Sequence, residues 1–415
     1  MTAAATLPEA DAALGVEERL VALAAISDQP GALTRLYLGP AHRRATEQVA
    51  AWMRQAGMEA RLDSVGNVVG RYAASSAGAP TLILGSHIDT VRNAGRFDGN
   101  LGVVAAIEVV RRLHAAKRRL AFAIEVVAFG DEEGVRFASA LGGSRALAGR
   151  FDPALLEERD AEGVSRRAAL AAFGCDPDRI AAEARDPAKV LGYVELHIEQ
   201  GPVLEREGLA VAVVTAINGA NRGRVTVTGE SGHAGTVPMA LRRDALAASA
   251  EMMLAVERLG RSEADLVATV GRLEIDHAAP NTVPGQVSFT LDVRAPDDAV
   301  RARAVAAIRA ALEAIAATRG VSVHLDIGYE APAALCDGGL QQRLAAAMAR
   351  LGLPERRMPS GAGHDAMAFA GHIPFAMLFV RCRGGISHNP AEYAAPEDIE
   401  TAMRVLADFI DHYDI

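Results

Sequence analysis

The chain has 415 residues, half of them apolar and 23% charged, with a formal net charge of −9 and a pI near 5.7. This is the composition of a globular protein of two or three domains, and an acidic chain without basic blocks and with only 4% aromatics argues against nucleic-acid and anionic-membrane partners. No apolar run approaches the ~18 residues needed to span a bilayer, and Cys175, Cys336 and Cys382 are too scattered for a disulfide framework or a CxxC zinc site.

The N-terminal stretch MTAAATLPEADAALGVEE lacks a basic n-region, so no signal peptide is expected and the cytoplasm is the expected compartment. Helices are expected over 16–27 and 41–57, the second stopped by Gly57. Short β-like runs follow in RLDSVGNVVGRY and TLILGSHIDT. A helix is expected from Gly99 to about Arg118 and a buried strand over 122–130, with DEEG directly after it. Residues 150–190 are polar, Ala-rich and read as helical, and 193–201 as another strand. Apolar runs of this length alternating with helices predict an α/β sheet covered on both faces.

The texture changes near Asn218. NRGRVTVTGES alternates like a strand with one wet face, and LRRDALAASAEMMLAVERLGR is an amphipathic helix. LVATVGRLEI and QVSFTLDVR are two strands, a long helix follows, and VSVHLDIGY is the last strand. The order β-α-β-β-α-β is that of a ferredoxin-like α+β module. It is placed at 217–329, inserted into an α/β domain made of 1–216 and 330–415. The latter part contains the strand FAMLFVR and a final amphipathic helix.

Several residues with metal or acid–base chemistry fall at predicted strand ends. In GSHIDTV, His87 and Asp89 are two apart and project to one face; the pair suits a metal-binding imidazole with a supporting carboxylate, or simply a turn Asp beside a buried His. Asp98, in GRFDGNLG, is either a helix cap or a ligand. Glu132 and Glu133 follow a strand's C-terminal end, where open α/β sheets place their sites, and they are either a solvated acidic loop or a divided pair, one for metal and one for a proton. His197 in ELHIEQG and His388 in GISHNPAEY also follow or end strands. Three histidines and two carboxylates suit two borderline divalent ions, one carboxylate bridging. The two lysines, Lys117 and Lys189, lie in neither GKS nor GKT, which removes a P-loop and makes Schiff-base or lysine-bridged metal chemistry a poor fit.

GSHIDTV, GRFDGNLG, DEEGVRF, ELHIEQGPVLE, GHAGTVPM, SGAGHDAM and GISHNPAEY occur in that order and cover most of the chain. Together they resemble the allantoate amidohydrolase and N-carbamoyl-L-amino-acid hydrolase family, a branch of the dinuclear-metal aminopeptidase/carboxypeptidase clan. The resemblance implies a Zn-peptidase-like α/β catalytic domain with an inserted ferredoxin-like lid that forms a homodimer. It also implies two divalent ions per subunit, manganese or zinc, held by His87, Asp98 (bridging), Glu133, His197 and His388.

By the same resemblance Glu132 is the general base, Asp89 the carboxylate behind His87, and His233 the oxyanion donor supplied from the partner subunit. Gln200, Asn281, Arg294 and His364 are its substrate-binding residues, Arg294 offering a planar fork for a carboxylate. The implied reaction is hydrolysis of the ureido C–N bond of allantoate in purine-ureide breakdown, releasing ammonia and CO2. N-carbamoyl-L-amino acids are the alternative substrates; a dipeptidase of the same clan and a non-catalytic binding protein are further readings. HIDTVRNAG, DEEGVRF and FVRCRGGISHNP have the texture of the allantoate branch. Arg222 and Arg383 are possible partners for allantoate's second ureido arm.

Overall fold

The structure, a computed structural model, describes residues 15–414; most of the stretch examined for a leader lies outside the described residues. The chain forms two compact units. The first runs to Thr215 and resumes with Cys336–Met358 and from His364 onward; the second is Ala216–Leu335 with Pro359–Gly363.

The first unit opens with helices α1 (Val16–Ala24) and α2 (Pro40–Gln55). In α2, Pro40 occupies the first turn, where its missing N–H costs nothing, and Ala41, Ala45, Val49, Trp52 and Met53 make one buried face at helical spacing. Strands β1 (Glu59–Leu62), β2 (Val68–Tyr72) and β3 (Thr81–His87) follow, then helix α3 (Asn100–Ala115), β4 (Ala123–Phe129), the short helix α4 (Arg166–Ala172), β5 (Val190–Ile198) and β6 (Val211–Ile217). Every residue of β3 and of β4 is buried, as expected for parallel strands covered on both faces.

The second unit is built from β7 (Gly219–Thr228), α5 (Ala245–Gly260), β8 (Val267–Thr269), β9 (Leu273–Ile275), β10 (Gln286–Ala295), α6 (Asp298–Arg319) and β11 (Ser322–Ala331). Its sheet has the order β9-β10-β7-β11 with β8 also on β10, all antiparallel, the ferredoxin-like arrangement. Alternation decides the faces: Val287, Phe289, Leu291 and Val293 of β10 are buried and their neighbours are not. With Val225 and Val227 of β7 they meet Met252 of α5 and Ile308 and Leu312 of α6 in one core. The stretch read as the single strand LVATVGRLEI is two short strands, interrupted at Val270–Arg272.

The chain then completes the first unit with α7 (Gly338–Arg350), β12 (Phe375–Val380) and α8 (Pro396–Asp411). Strand order in that unit runs β1-β2-β4-β3-β5-β12-β6. The pairs β4/β3, β3/β5 and β5/β12 are parallel, while β1/β2, β2/β4 and β12/β6 are antiparallel. Four neighbouring parallel strands therefore finish at the same edge.

One expectation needs correction. Residues 150–190 are mostly not α-helical: apart from α4 they form short 3₁₀ segments at Pro153–Glu157, Pro177–Glu183 and Pro187–Lys189. Each turn begins with an Asp-Pro pair. The side chains of Asp152, Asp176 and Asp186 each accept from the backbone N–H two residues on, and the repeated prolines chop the segment before a longer helix can form. The strand β6 was not anticipated from sequence at all. Among the described residues no helix is long and apolar enough to cross a membrane.

Candidate active site

The C-terminal edge of the four parallel strands gathers the chemistry. His87 ends β3, His197 is the penultimate residue of β5, Glu132 and Glu133 follow β4, and His388 lies in the turn after β12. The register sets their level: His87 faces Phe129 of β4, and His197 faces Phe379 of β12. Asp98 arrives from the other direction, at the entry to α3. Gly99, with φ of +64°, makes that entry; a Cβ there would lie 2.5 Å from the ring of His87, so only glycine fits.

Two trios of possible donor atoms share Asp98: His87, Asp98 and His197, and Asp98, Glu133 and His388. Asp98 Oδ1 lies 3.1 Å from His197 Nε2 and 3.7 Å from His87 Nε2, while Oδ2 lies 3.1 Å from His388 Nε2. The two oxygens of one carboxylate thus face two different sets of ligands. His87, Glu132 and Glu133 form a third trio, and Glu195, His197 and His364 a fourth.

The histidines are oriented from behind. Nδ1 of His87 is 3.0 Å from the Asp89 carbonyl and Nδ1 of His197 2.9 Å from the Ile198 carbonyl, contacts that place the proton on Nδ1 and turn Nε2 to Asp98. Asp89 supports His87 mainly through its backbone. Its carboxylate, 3.8 Å from His87, instead accepts the N–H groups of Glu132 and Glu133 at 3.1 and 3.2 Å and so holds the turn that carries both glutamates.

Charge in this pocket is one-sided. Asp89, Asp98, Glu195 and Asp365 are all buried, and the ion-pair partners of Asp89, Asp98, Glu132 and Glu133 among the described residues are histidines. Burial pushes the Glu132 carboxyl well above the usual range; His87 opposes this, while Glu133, Asp365 and Asp89 add to it. Burial also works against Asp98, yet His197, His388 and His87 hold its carboxyl well below the usual range. For His87 the loss of hydration lowers basicity, but Glu132 and Asp98 outweigh it and push the imidazole well up. Buried carboxylates and imidazoles with no fixed cation among them fit divalent ions of the borderline class.

Gln200 and His364 also belong to this pocket. Gln200 Nε2 donates to Asp98 Oδ2 at 3.2 Å and to Ser387 Oγ at 3.0 Å, and the His364 ring packs edge-on against His197 at 4.5 Å. Gln200, His388 and Asp131 all have left-handed backbones, with φ of +56°, +53° and +70°, conformations that non-glycine residues hold only under constraint. Asp131 is pinned by a wholly buried ion pair with Arg166, at the start of α4.

His233, Asn281 and Arg294 lie in the second unit. There the exposed His233 pairs with Thr282 in a two-residue ladder, and the Asn281 carbonyl accepts the Ala234 N–H at 2.8 Å. Arg294 is not a vacant fork: it grips Asp292, two residues earlier on the same face of β10, at 2.8 and 2.9 Å, and donates to the Gly361 carbonyl at 2.7 Å. Arg222 also binds Asp292, and Arg383, in the first unit, stacks on Tyr393.

Sequence reading missed Asp131, Glu195, Asp365, Ser387 and Glu392. Glu195 was within reach, being two residues before His197 on one strand and so on the same face. Ser387 and Glu392 were visible only as neighbours of His388 in SHNPAEY.

A carboxylate–imidazole cluster at the edge of parallel strands suits a metal centre, and residues 83–412 match the model of peptidase family M20/M25/M40; the chain belongs to that family. It is 42% identical over 390 residues to N-carbamoyl-L-amino acid amidohydrolase of Geobacillus stearothermophilus, covering 94% of this chain and 95% of that one. It is 39% identical over 425 residues to allantoate deiminase 2 of Glycine max, covering 95% and 88%. Among solved structures, an amidase of the hydantoinase/carbamoylase family from Burkholderia multivorans superposes with a TM-score of 0.90 at 36% identity, covering 95% and 96%. The protein is thus an amidohydrolase.

Proposed function

We propose that the protein hydrolyses the ureido C–N bond of allantoate. The observation that carries the reaction class is Asp98, whose two oxygens face His87 and His197 on one side and His388, beside Glu133, on the other. We assign these five residues as ligands of two divalent ions, manganese or zinc. Bound there, such ions supply water activation at neutral pH and polarisation of the ureido carbonyl.

Glu132 is the proton carrier. Its turn is fixed by the Asp89 carboxylate, its own carboxylate reaches toward His87 Nε2 at 3.9 Å, and it makes no arginine or lysine ion pair among the described residues. It takes a proton from the attacking water and returns it to the nitrogen that leaves as ammonia; the carbamate left behind loses CO2. Both steps require the base within hydrogen-bond reach of the same water and leaving group.

The proposal extends, on the family resemblance, to the rest of the site. The domain 1–216 with 330–415 is catalytic, and 217–329 is a lid that makes a homodimer. Gln200, His364, Asn281 and Arg294 bind substrate, and the partner subunit's His233 donates to the oxyanion. Cytoplasmic purine-ureide breakdown is the setting proposed.

A second reading has its own support, the 42% identity to an N-carbamoyl-L-amino acid amidohydrolase. Both substrate classes pair a carboxylate with a ureido group. Ammonia release by manganese-loaded enzyme separates them. We expect kcat/KM for allantoate to exceed that for every N-carbamoyl-L-amino acid by a hundredfold or more, about 2.7 kcal/mol of discrimination. The reverse order would assign the second activity, and turnover of neither would withdraw both.

A further inference from the structure

Three loops meet around Asp98: its own GRFDGN loop, the Gln200 turn after β5 and the His388 turn after β12. One buried side chain joins two of them directly and the third through a single hydroxyl. Glu392 Oε1 accepts the N–H groups of Phe97 at 2.7 Å and Asp98 at 3.0 Å, and its Oε2 accepts the Ser387 hydroxyl at 2.9 Å. Ser387 lies one residue before His388. Its Oγ also lies 3.3 Å from Asp98 Oδ2, but a hydroxyl has one proton, and the shorter contact assigns it to Glu392. The Ser387 oxygen is then free to accept from Gln200 Nε2, which also donates to Asp98 Oδ2.

The path is closed: Glu392 to the Asp98 backbone, Glu392 to Ser387, Ser387 to Gln200, and Gln200 back to the Asp98 carboxylate. Glu392 is 4% exposed, so its two backbone donors have no water to turn to if it is removed. The GRFDGN loop is shaped around it. A Cβ on Gly95 would overlap the Glu392 carboxyl, so glycine at that position is a condition of the contact.

We propose that Glu392, acting through Ser387, is the positioning residue that sets Asp98 and His388 at the spacing the two-ion centre requires. It belongs to none of the trios of possible donor atoms. Asp98 is reached from a helix entry and His388 from a left-handed turn, and no backbone ladder joins the two segments; the Glu392 carboxylate does so. The inference rests on the reading of Asp98 and His388 as metal ligands.

The test uses the full chain stripped of metal, titrated calorimetrically with Mn²⁺ alone, with circular dichroism as the fold control. We expect Glu392→Ala to weaken Mn²⁺ binding by ~10–100-fold, the usual cost of removing a group that orients a ligand, and to lower kcat with KM largely kept. Glu392→Gln should recover most of both, because its amide oxygen still accepts the two N–H groups and Ser387 can turn to accept its NH₂. Ser387→Ala removes the hydroxyl that links Glu392 to Gln200, two hydrogen bonds, without emptying the core, and should weaken Mn²⁺ binding in the same direction. It decides the matter if Glu392→Ala does not fold. A parent protein that binds no Mn²⁺ would overturn the metal-centre reading itself. A parent that binds, beside folded Glu392 and Ser387 variants that bind equally tightly, would overturn the positioning role and leave the centre standing.

Discussion

At the scale of single residues, the proposed mechanism divides the strand edge into groups that act and groups that hold. Glu132 belongs to the first. Replacing it with Gln keeps shape and burial but removes the proton acceptor, so kcat should fall by about 10²–10⁴-fold, the range of general-base catalysis, while Mn²⁺ affinity stays near that of the parent. A rate within a few-fold of the parent would remove Glu132 from the proton path. Asp131 and Arg166 belong to the second group. Both are fully buried, and Arg166 also reaches Ser139 and Glu158 and lies over the Phe137 ring. Arg166→Met leaves Asp131 without its cation and should cost about 3–5 kcal/mol in urea unfolding. Adding Asp131→Asn should return part of that, since the fully buried charge is then gone and only the more exposed Glu158 has lost its cation; a double variant no more stable than the single one would show that the pair matters for something other than charge.

Elements explain why these residues meet. Parallel strands side by side bring their C-terminal ends to one edge, so His87, Glu132, Glu133, His197 and His388, far apart in sequence, become neighbours through topology. The motifs were legible as strand ends because β3, β4, β5 and β12 are predominantly apolar runs. Residues 150–190 were not legible, because alanine content was read as helix propensity while the Asp-Pro starts were passed over; those local turns outweigh the small per-residue preference of alanine. Helix α2 supplies a prediction at this scale. His42 is fully buried, its Nδ1 accepts the Leu38 N–H at 3.2 Å, and its ring stacks on Phe173. Burial, with the charges of Arg35, Arg43 and Arg136, lowers its pKa from 6.5 to about 3. The folded state therefore binds this proton less readily than the unfolded chain. The contribution of His42 is complete above pH 6.5 and is lost as pH falls from there toward 3, amounting to about 2 kcal/mol at pH 5. His42→Asn, which can still accept from Leu38, should flatten that part of the stability profile between pH 7 and 5. An unchanged slope would assign the acid sensitivity to other groups.

At the scale of the whole molecule, the prediction concerns assembly. In the proposed homodimer, Glu132→Gln and His233→Ala should each be inactive on their own. Mixed dimers should regain part of the activity if the partner subunit's His233 serves the site, because one site then has both groups intact. Confirmed heterodimers with no activity would place His233 within its own subunit's site, and an active His233→Ala homodimer would place it outside catalysis. The second unit, with its own core around Phe289 and Met252, has the ferredoxin-like strand order that its alternating sequence suggests. Its segment Pro359–Gly363 was read from sequence as part of 330–415, with the α/β domain, since five residues carry no periodicity to set them apart.

The sequence by itself determined the inventory: acids and imidazoles at strand ends, the glycines around Asp98, the order of motifs, and the two kinds of sheet. Hydrophobic period and turn chemistry are local properties, and a linear chain displays them. Only the tertiary structure decided the pairings across distance. It showed that Asp89 uses its carbonyl for His87 and its carboxylate for the Glu132 turn. It showed that Arg294 already pairs with Asp292 and donates to the Gly361 carbonyl, contacts that the substrate carboxylate proposed for it must share or displace, and that Glu392 joins the Asp98 and His388 loops. These are choices among partners separated by two to about three hundred residues. Which one a buried donor or acceptor takes depends on where packing leaves it, because a polar group cut off from water must accept the partner that the fold places within reach.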